Sequence, residues 1–136
     1  GGGSMTLNCM FKYPEIYKTG IAIAVISDQR LYDTIYQERY MDLPINNEEG
    51  YREGSPITHA KSLEGNLLLI HGSGDDNCHY QSSQMLVNEL IKHNKYFSMI
   101  DYPMRSHGIY ERENTSLHLR MTMFNYLKQN LEARGK

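Results

Sequence analysis

The chain has 136 residues, 40% of them hydrophobic, and a formal net charge of -2. That length can bury one ordinary core, and the weak, interspersed charge excludes a disordered tail or a nucleic-acid binder. No run approaches the roughly eighteen apolar residues that a membrane-crossing helix needs, so no membrane span is expected. The first residues, Gly1-Gly2-Gly3-Ser4, lack the basic start of a secretory leader, which carries no weight if the chain is a fragment.

Met5 to Tyr13 reads as a mostly apolar helix that Pro14 ends. Gly20 to Ile26 is a short run rich in β-branched residues, as in a strand buried on both faces. Asp28 to Tyr40 is polar, with Tyr32, Tyr36 and Tyr40 four apart, so that on a helix they share one face. Leu43 to Pro56 is punctuated by Pro44, Gly50, Gly54 and Pro56 and reads as a loop. Ile57 to Leu63 fits a short helix before the apolar strand Asn66 to His71. From Tyr80 to His93, Met85, Leu86, Leu90 and Ile91 recur with helical period. Tyr96 to Tyr102 is a third strand. Asn114, Thr115 or Ser116 can cap a last helix whose expected buried stripe is Leu117, Met121, Phe124, Leu127 and Leu131.

Helices alternating with strands predict an α/β fold: a mostly parallel sheet with helices on both faces. Three strands are few for such a sheet, and an open one leaves bare edges. The chain therefore reads as the second half of a domain. Its two cysteines form no disulfide framework. Cys9 is expected to be a buried free thiol, and Cys78 lacks the clustered partners of a metal site.

The chemistry-bearing residues follow the strands. Asp75 and Asp76 stand in a glycine-bearing turn after one strand, and His107 stands in the loop after the next. In open parallel sheets, functional groups occupy these carboxyl-end loops. A carboxylate accepting from imidazole Nδ1–H fixes the tautomer of a general base and stabilises the imidazolium it becomes. Only one of the two aspartates can do this, and the other is a turn-stabiliser. Of the six histidines, His59, His79, His93 and His118 have no such setting, and His71 is expected to be packed or hydrogen-bonded.

Nucleophile, acid, histidine is the chain order of α/β-hydrolases, whose serine sits in a G-x-S-x-G elbow. Ser4 fails that pattern, because Thr6 stands where glycine is required. If Gly2 and Gly3 are the closing glycines, the nucleophile belongs immediately before Gly1.

Three segments carry a family resemblance: Tyr32-Asp33-Thr34-Ile35-Tyr36-Gln37-Glu38-Arg39-Tyr40-Met41, His71-Gly72-Ser73-Gly74-Asp75-Asp76-Asn77 and His107-Gly108-Ile109. With them, the chain resembles the C-terminal part of the catalytic α/β-hydrolase domain of the prolyl oligopeptidase family, in its dipeptidyl peptidase IV branch. The resemblance implies a serine exopeptidase that removes dipeptides after proline or alanine. It implies that Asp75 orients His107 as the general base, and that Gly1 supplies an oxyanion-hole N–H. Tyr32 and Tyr36, with Ile26 and Cys78 as apolar wall, would hold the residue before the scissile bond, and Asn77 would contact the substrate near its amino end. No cofactor or metal is implied.

The family's first half of the hydrolase domain, its β-propeller, its second oxyanion-hole residue and its paired substrate-binding glutamates lie outside these residues. They are the expected partners, besides a peptide substrate and a second copy in a homodimer. The helix around Met121 and Met123 could join such a contact, though a core role is expected of it. Gln29 stands where some relatives have a pocket tryptophan, and Thr19 where they have a disulfide cysteine. Both fit a bacterial member of the periplasm or cell envelope. On this reading the isolated chain, lacking a nucleophile, does not turn over peptides. The alternatives are an acylaminoacyl- or oligopeptidase-type member, a non-catalytic structural fragment, or a metal- or nucleotide-binding module at the Asp75-Asp76 turn.

Overall fold

The structure, a computed structural model, describes residues 1–131. Its centre is a three-stranded parallel sheet of β1 (Thr19–Ile23), β2 (Asn66–Gly72) and β3 (Ser98–Tyr102) in the order β1-β2-β3. Ile23 lies opposite Ile70, and Gly72 lies opposite Tyr102. Successive side chains of β2 point to opposite faces. Leu67 and Leu69 join one core cluster, while Leu68 and Ile70 join another.

The first cluster is closed by α1 (Gly2–Lys12) and α4 (Gln81–Lys92), which contribute Leu7, Met10, Phe11, Leu86 and Leu90. Leu7, Met10 and Phe11 are spaced i, i+3, i+4, so they form one stripe. The second cluster is covered by α5 (Thr115–Asn130) through Leu119, Met123 and Tyr126. Helices thus flank both faces, as the alternation predicted. All three strands run the same way, so the loops after their carboxyl ends share one edge.

Several boundaries differ from expectation. The first helix begins at Gly2 instead of Met5. Gly3 is needed there for a close approach: a Cβ on it would run into the Ile23 carbonyl and lie 3.0 Å from Val25, whereas a Cβ on Gly2 would meet open space. The first strand ends at Ile23, because Ala24 turns into positive φ (49°), and Ile26 lies in the loop beyond. Asp28 to Tyr40 is broken into a 3₁₀ turn, Gln29–Leu31, and α2 (Thr34–Met41), capped by Asp28 and Asp33. The predicted Leu43 to Pro56 loop contains α3 (Glu48–Gly54). Asn47 caps it by accepting from the Gly50 N–H, and Glu48 and Glu49 favour its positive end. Pro56–Ser62 is a 3₁₀ helix. Cys9 is half-buried instead of buried.

The largest correction concerns α5. Of its expected core stripe, Leu117, Met121, Phe124 and Leu131 are exposed and Leu127 is half-buried. The face packed on the sheet is the neighbouring half-buried stripe Leu119, Met123 and Tyr126, so Met123 has the core role and Met121 does not. Among the described residues, no helix is long and apolar enough to cross a membrane.

Candidate active site

The turn after β2 is built on backbone bonds. The Asp75 N–H donates to the Gly72 carbonyl at 3.1 Å and the Gly74 N–H to the Arg105 carbonyl at 3.0 Å. A Cβ at Gly72 would collide with the Arg105 carbonyl and lie 2.7 Å from that of Ser106. Glycine therefore lets the β3 loop lie directly on the end of β2. That loop is also braced from within: Arg105 donates to the Pro103 carbonyl at 2.8 Å and to the Thr115 hydroxyl at 3.2 Å, and the Ser106 N–H donates to Glu111 Oε1 at 3.0 Å.

These contacts bring Asp75 and His107 together, with His107 Nδ1 2.9 Å from Asp75 Oδ2. The Asp75 side chain is fully buried, whereas that of His107 is 48% exposed. Asp75 Oδ1 accepts the backbone N–H groups of Asn77 and Cys78, each at 2.9 Å. Burial alone would raise the Asp75 pKa. The His107 hydrogen bond and the two backbone N–H groups outweigh it and hold the carboxyl below the usual range. An ionised acceptor there requires His107 Nδ1 to carry hydrogen, which leaves Nε2 as the free base. Asp76, by contrast, is exposed. Of the two carboxylates left open by the sequence, Asp75 is the one against the histidine.

Two cavities meet at the start of α1. One, of about 470 Å³, is lined by Ile26, Tyr32, Tyr36, Cys78 and Gly1 among others. The other, of about 400 Å³, is lined by His107 and by Gly1, Gly2 and Gly3. Gly1 lines both. In the larger cavity, Tyr32 and Tyr36 meet edge to face at 5.4 Å between centroids, and Tyr36 and Tyr40 at 5.1 Å. This geometry suits aromatic quadrupoles and stiffens the wall. Burial, with the Asp75 charge adding to it, pushes the Cys78 thiol up to about 11, so it serves as apolar wall. Asn77 is exposed and lines a separate cavity of about 520 Å³, to which Tyr32 also contributes.

Sequence reasoning missed the polar residues of the larger cavity, Asn8 and Gln37, and the partners of His71. A histidine inside an apolar strand signals such partners, because a buried polar ring must be hydrogen-bonded. It does not say which they are.

Residues 1–134 match the profile of the Prolyl oligopeptidase family. The chain is 42% identical over 113 residues to a probable dipeptidyl-aminopeptidase B of Arthroderma gypseum, covering 80% of this chain and 12% of that protein. It is 34% identical over 136 residues to dipeptidyl peptidase 8 of Mus musculus, covering 98% of this chain and 15% of that protein. The crystal structure of Porphyromonas gingivalis dipeptidyl peptidase 4 superposes with a TM-score of 0.92 at 38% identity, over 95% of this chain and 18% of that one. The chain thus spans less than a fifth of the length of each of these proteins.

Proposed function

The chain belongs to the prolyl oligopeptidase family, and we propose that it is the C-terminal part of a serine exopeptidase's hydrolase domain. In this reading Asp75 and His107 are two members of a Ser-Asp-His triad, and the serine directly precedes Gly1. The observation that carries it is the Asp75–His107 hydrogen bond beside a cavity whose other wall is the amino end of α1.

His107 Nε2 takes the serine proton as the hydroxyl oxygen attacks the peptide carbonyl, and later returns that proton to the leaving amine. Asp75 holds the ring and stabilises the imidazolium formed between the two steps. The Gly1 N–H, at the start of a helix, faces the negative charge that develops on the carbonyl oxygen. Tyr32, Tyr36, Ile26 and Cys78 take the side chain before the scissile bond. A proline ring or an alanine methyl suits this wall, since either packs on aromatic surface without asking for hydrogen bonds. Asn77, exposed beside Tyr32, contacts the substrate towards its amino end.

The rest of the domain and a propeller complete the site, and the exposed stripe of α5 offers a surface for a second copy. The test compares the full-length protein with the isolated 136 residues, using an Xaa-Pro chromogenic peptide and a fluorophosphonate. Turnover and labelling at the serine before Gly1 are expected of the first alone. Labelling of the isolated chain overturns the assignment of the nucleophile.

A further inference from the structure

Asp75 Oδ2 has a second imidazole neighbour. His71, the penultimate residue of β2, has no exposed side-chain surface, and its Nε2 lies 3.2 Å from Asp75 Oδ2 and 2.8 Å from the Cys78 carbonyl. Both neighbours are acceptors, so Nε2 carries the hydrogen. The remaining nitrogen, Nδ1, lies 2.6 Å from the Ser83 hydroxyl of α4. In a neutral ring Nδ1 is an acceptor, so Ser83 donates to it. Tyr80 packs edge-on against the same ring at 5.5 Å between centroids. The ring is thus locked between the central strand and α4.

We infer that His71 is a positioning residue: its Nε2–H fixes the plane of the Asp75 carboxylate so that Oδ2 is aimed at His107. The need for it is geometric. The torsion that turns a carboxylate is broad and roughly two-fold, so binding one oxygen leaves the other free to swing. The backbone N–H groups of Asn77 and Cys78 hold only Oδ1. Without His71, Oδ2 has one partner, His107, whose side chain is itself half exposed. The base would then be orienting its own orienter. A donor fixed in the buried interior breaks that circularity.

His71 also sets how strongly Asp75 acts on His107. Four donors share the carboxylate charge, and removing one leaves more of it for the imidazolium. His107 should then hold its proton more tightly. The other titratable or charged groups around this pair include Cys78 and Tyr80 against His71, Tyr32 near Asp75, Asp101 in register with His71 on β3, and Arg105 and Glu111 in the His107 loop. The His71 substitutions change none of these groups chemically, though Tyr80 and the Cys78 carbonyl lose the imidazole as a neighbour.

The inference rests on the peptidase reading, and its test separates the two. Full-length protein is prepared as wild type, His71→Phe, His71→Gln and Ser83→Ala. In wild type, nitrogen-15 spectra should show a pyrrole-type Nε2 and a pyridine-type Nδ1 for His71; the reverse tautomer overturns the proposal. His71→Phe should lower kcat per titrated active site on the order of tenfold or more. KM should stay within about twofold, and the acid limb of kcat should move to higher pH, because this variant removes the donor to Oδ2. His71→Gln, whose amide can reach the same oxygen, should restore most of both. If His71→Phe does not fold, Ser83→Ala should move kcat and the acid limb in the same direction by a smaller amount. Lower thermal stability with unchanged kcat per active site and an unmoved acid limb means a packing role only, and defeats the proposal. If wild type turns over no peptide, the peptidase reading fails instead. The His107 ring resonances then still report whether its titration midpoint rises in the His71→Phe protein.

Discussion

Ser4 and Ile26 exchange two hydrogen bonds: the Ser4 hydroxyl donates to the Ile26 carbonyl at 2.7 Å and accepts the Ile26 N–H at 3.2 Å. The pair ties the first turn of α1 to the loop after β1, and both residues line the tyrosine cavity. With its donor spent on Ile26, Ser4 is a clamp, in agreement with its failure of the elbow pattern. Ser4→Ala should keep fluorophosphonate labelling of the full-length protein while raising KM a few-fold. It should cost about 1–2 kcal/mol of stability, because both Ile26 backbone groups lose a partner. Loss of labelling in this variant would make Ser4 the nucleophile and refute the assignment.

Asp75 and Asp76 are neighbours with opposite expected sensitivities. Asp75→Asn places an amide against His107 Nδ1 and favours the wrong tautomer, so kcat should fall by about three to four orders of magnitude. Asp76→Asn should stay within about twofold, since Asp76 is exposed. Steady-state kinetics on the two variants decide it, and comparable losses in both would sink the distinction.

Acid sensitivity has a specific source in the His107 loop. Hydrogen bonding from the Ser106 side chain first, then from the backbone N–H groups of Glu111 itself, Ser106 and Tyr110, holds the Glu111 carboxyl down to about 2. A carboxyl whose folded pKa is depressed contributes stability above its unfolded value, and that stability is lost as pH falls through the folded one. The contribution of Glu111 should therefore be complete above about pH 4.5 and disappear towards pH 2. Denaturant midpoints of wild type and Glu111→Gln should differ at pH 6 and converge near pH 2. A constant gap across that range would show that Glu111 acts by some other route.

The tyrosine wall should govern specificity through binding. Tyr36 touches both Tyr32 and Tyr40, so Tyr36→Ala removes the centre of the row. KM for a proline-containing peptide should rise on the order of tenfold with a smaller change in kcat, and Tyr36→Phe should be close to wild type. A loss confined to kcat would place Tyr36 outside the pocket.

The uncovered stripe of α5 predicts association. Leu117 and Phe124 are 62% and 60% exposed, an unusual outlay of apolar surface on one helix. If this face meets a second copy, Phe124→Asp should shift the full-length protein from dimer to monomer in sedimentation without unfolding it. An unchanged sedimentation coefficient rules the face out.

Legibility of the sequence followed the physics of each element. Asn66 to His71 was readable because a continuous apolar run has few alternatives. The strand order marked the Asp75-Asp76 turn and the His107 loop, but only the family resemblance implied Asp75 over Asp76. The face of α5 was not readable. Leu117, Met121 and Phe124 repeat as well as Leu119, Met123 and Tyr126, and the trajectory out of the His107 loop decides which stripe meets the sheet. Helix α3 was hidden by Gly50 and Gly54, which read as breakers although the Asn47 cap starts it. The end of β1 was misplaced because nothing in the apolar run announces the positive φ of Ala24. His71 was legible as a buried polar group, but its partners arise from the turn and α4, which only the folded chain assembles.

The pairing of Gly72 with Tyr102 places Asp75 three residues beyond one member of the pair and His107 five beyond the other. A slip of β3 by a single residue would slide its loop by about 3.3 Å and turn its side chains to the opposite face. That displacement exceeds the length of the hydrogen bond it would have to preserve. The Asp75–His107 hydrogen bond is therefore a gauge of strand alignment: a misaligned sheet can be folded and compact with the two side chains out of reach.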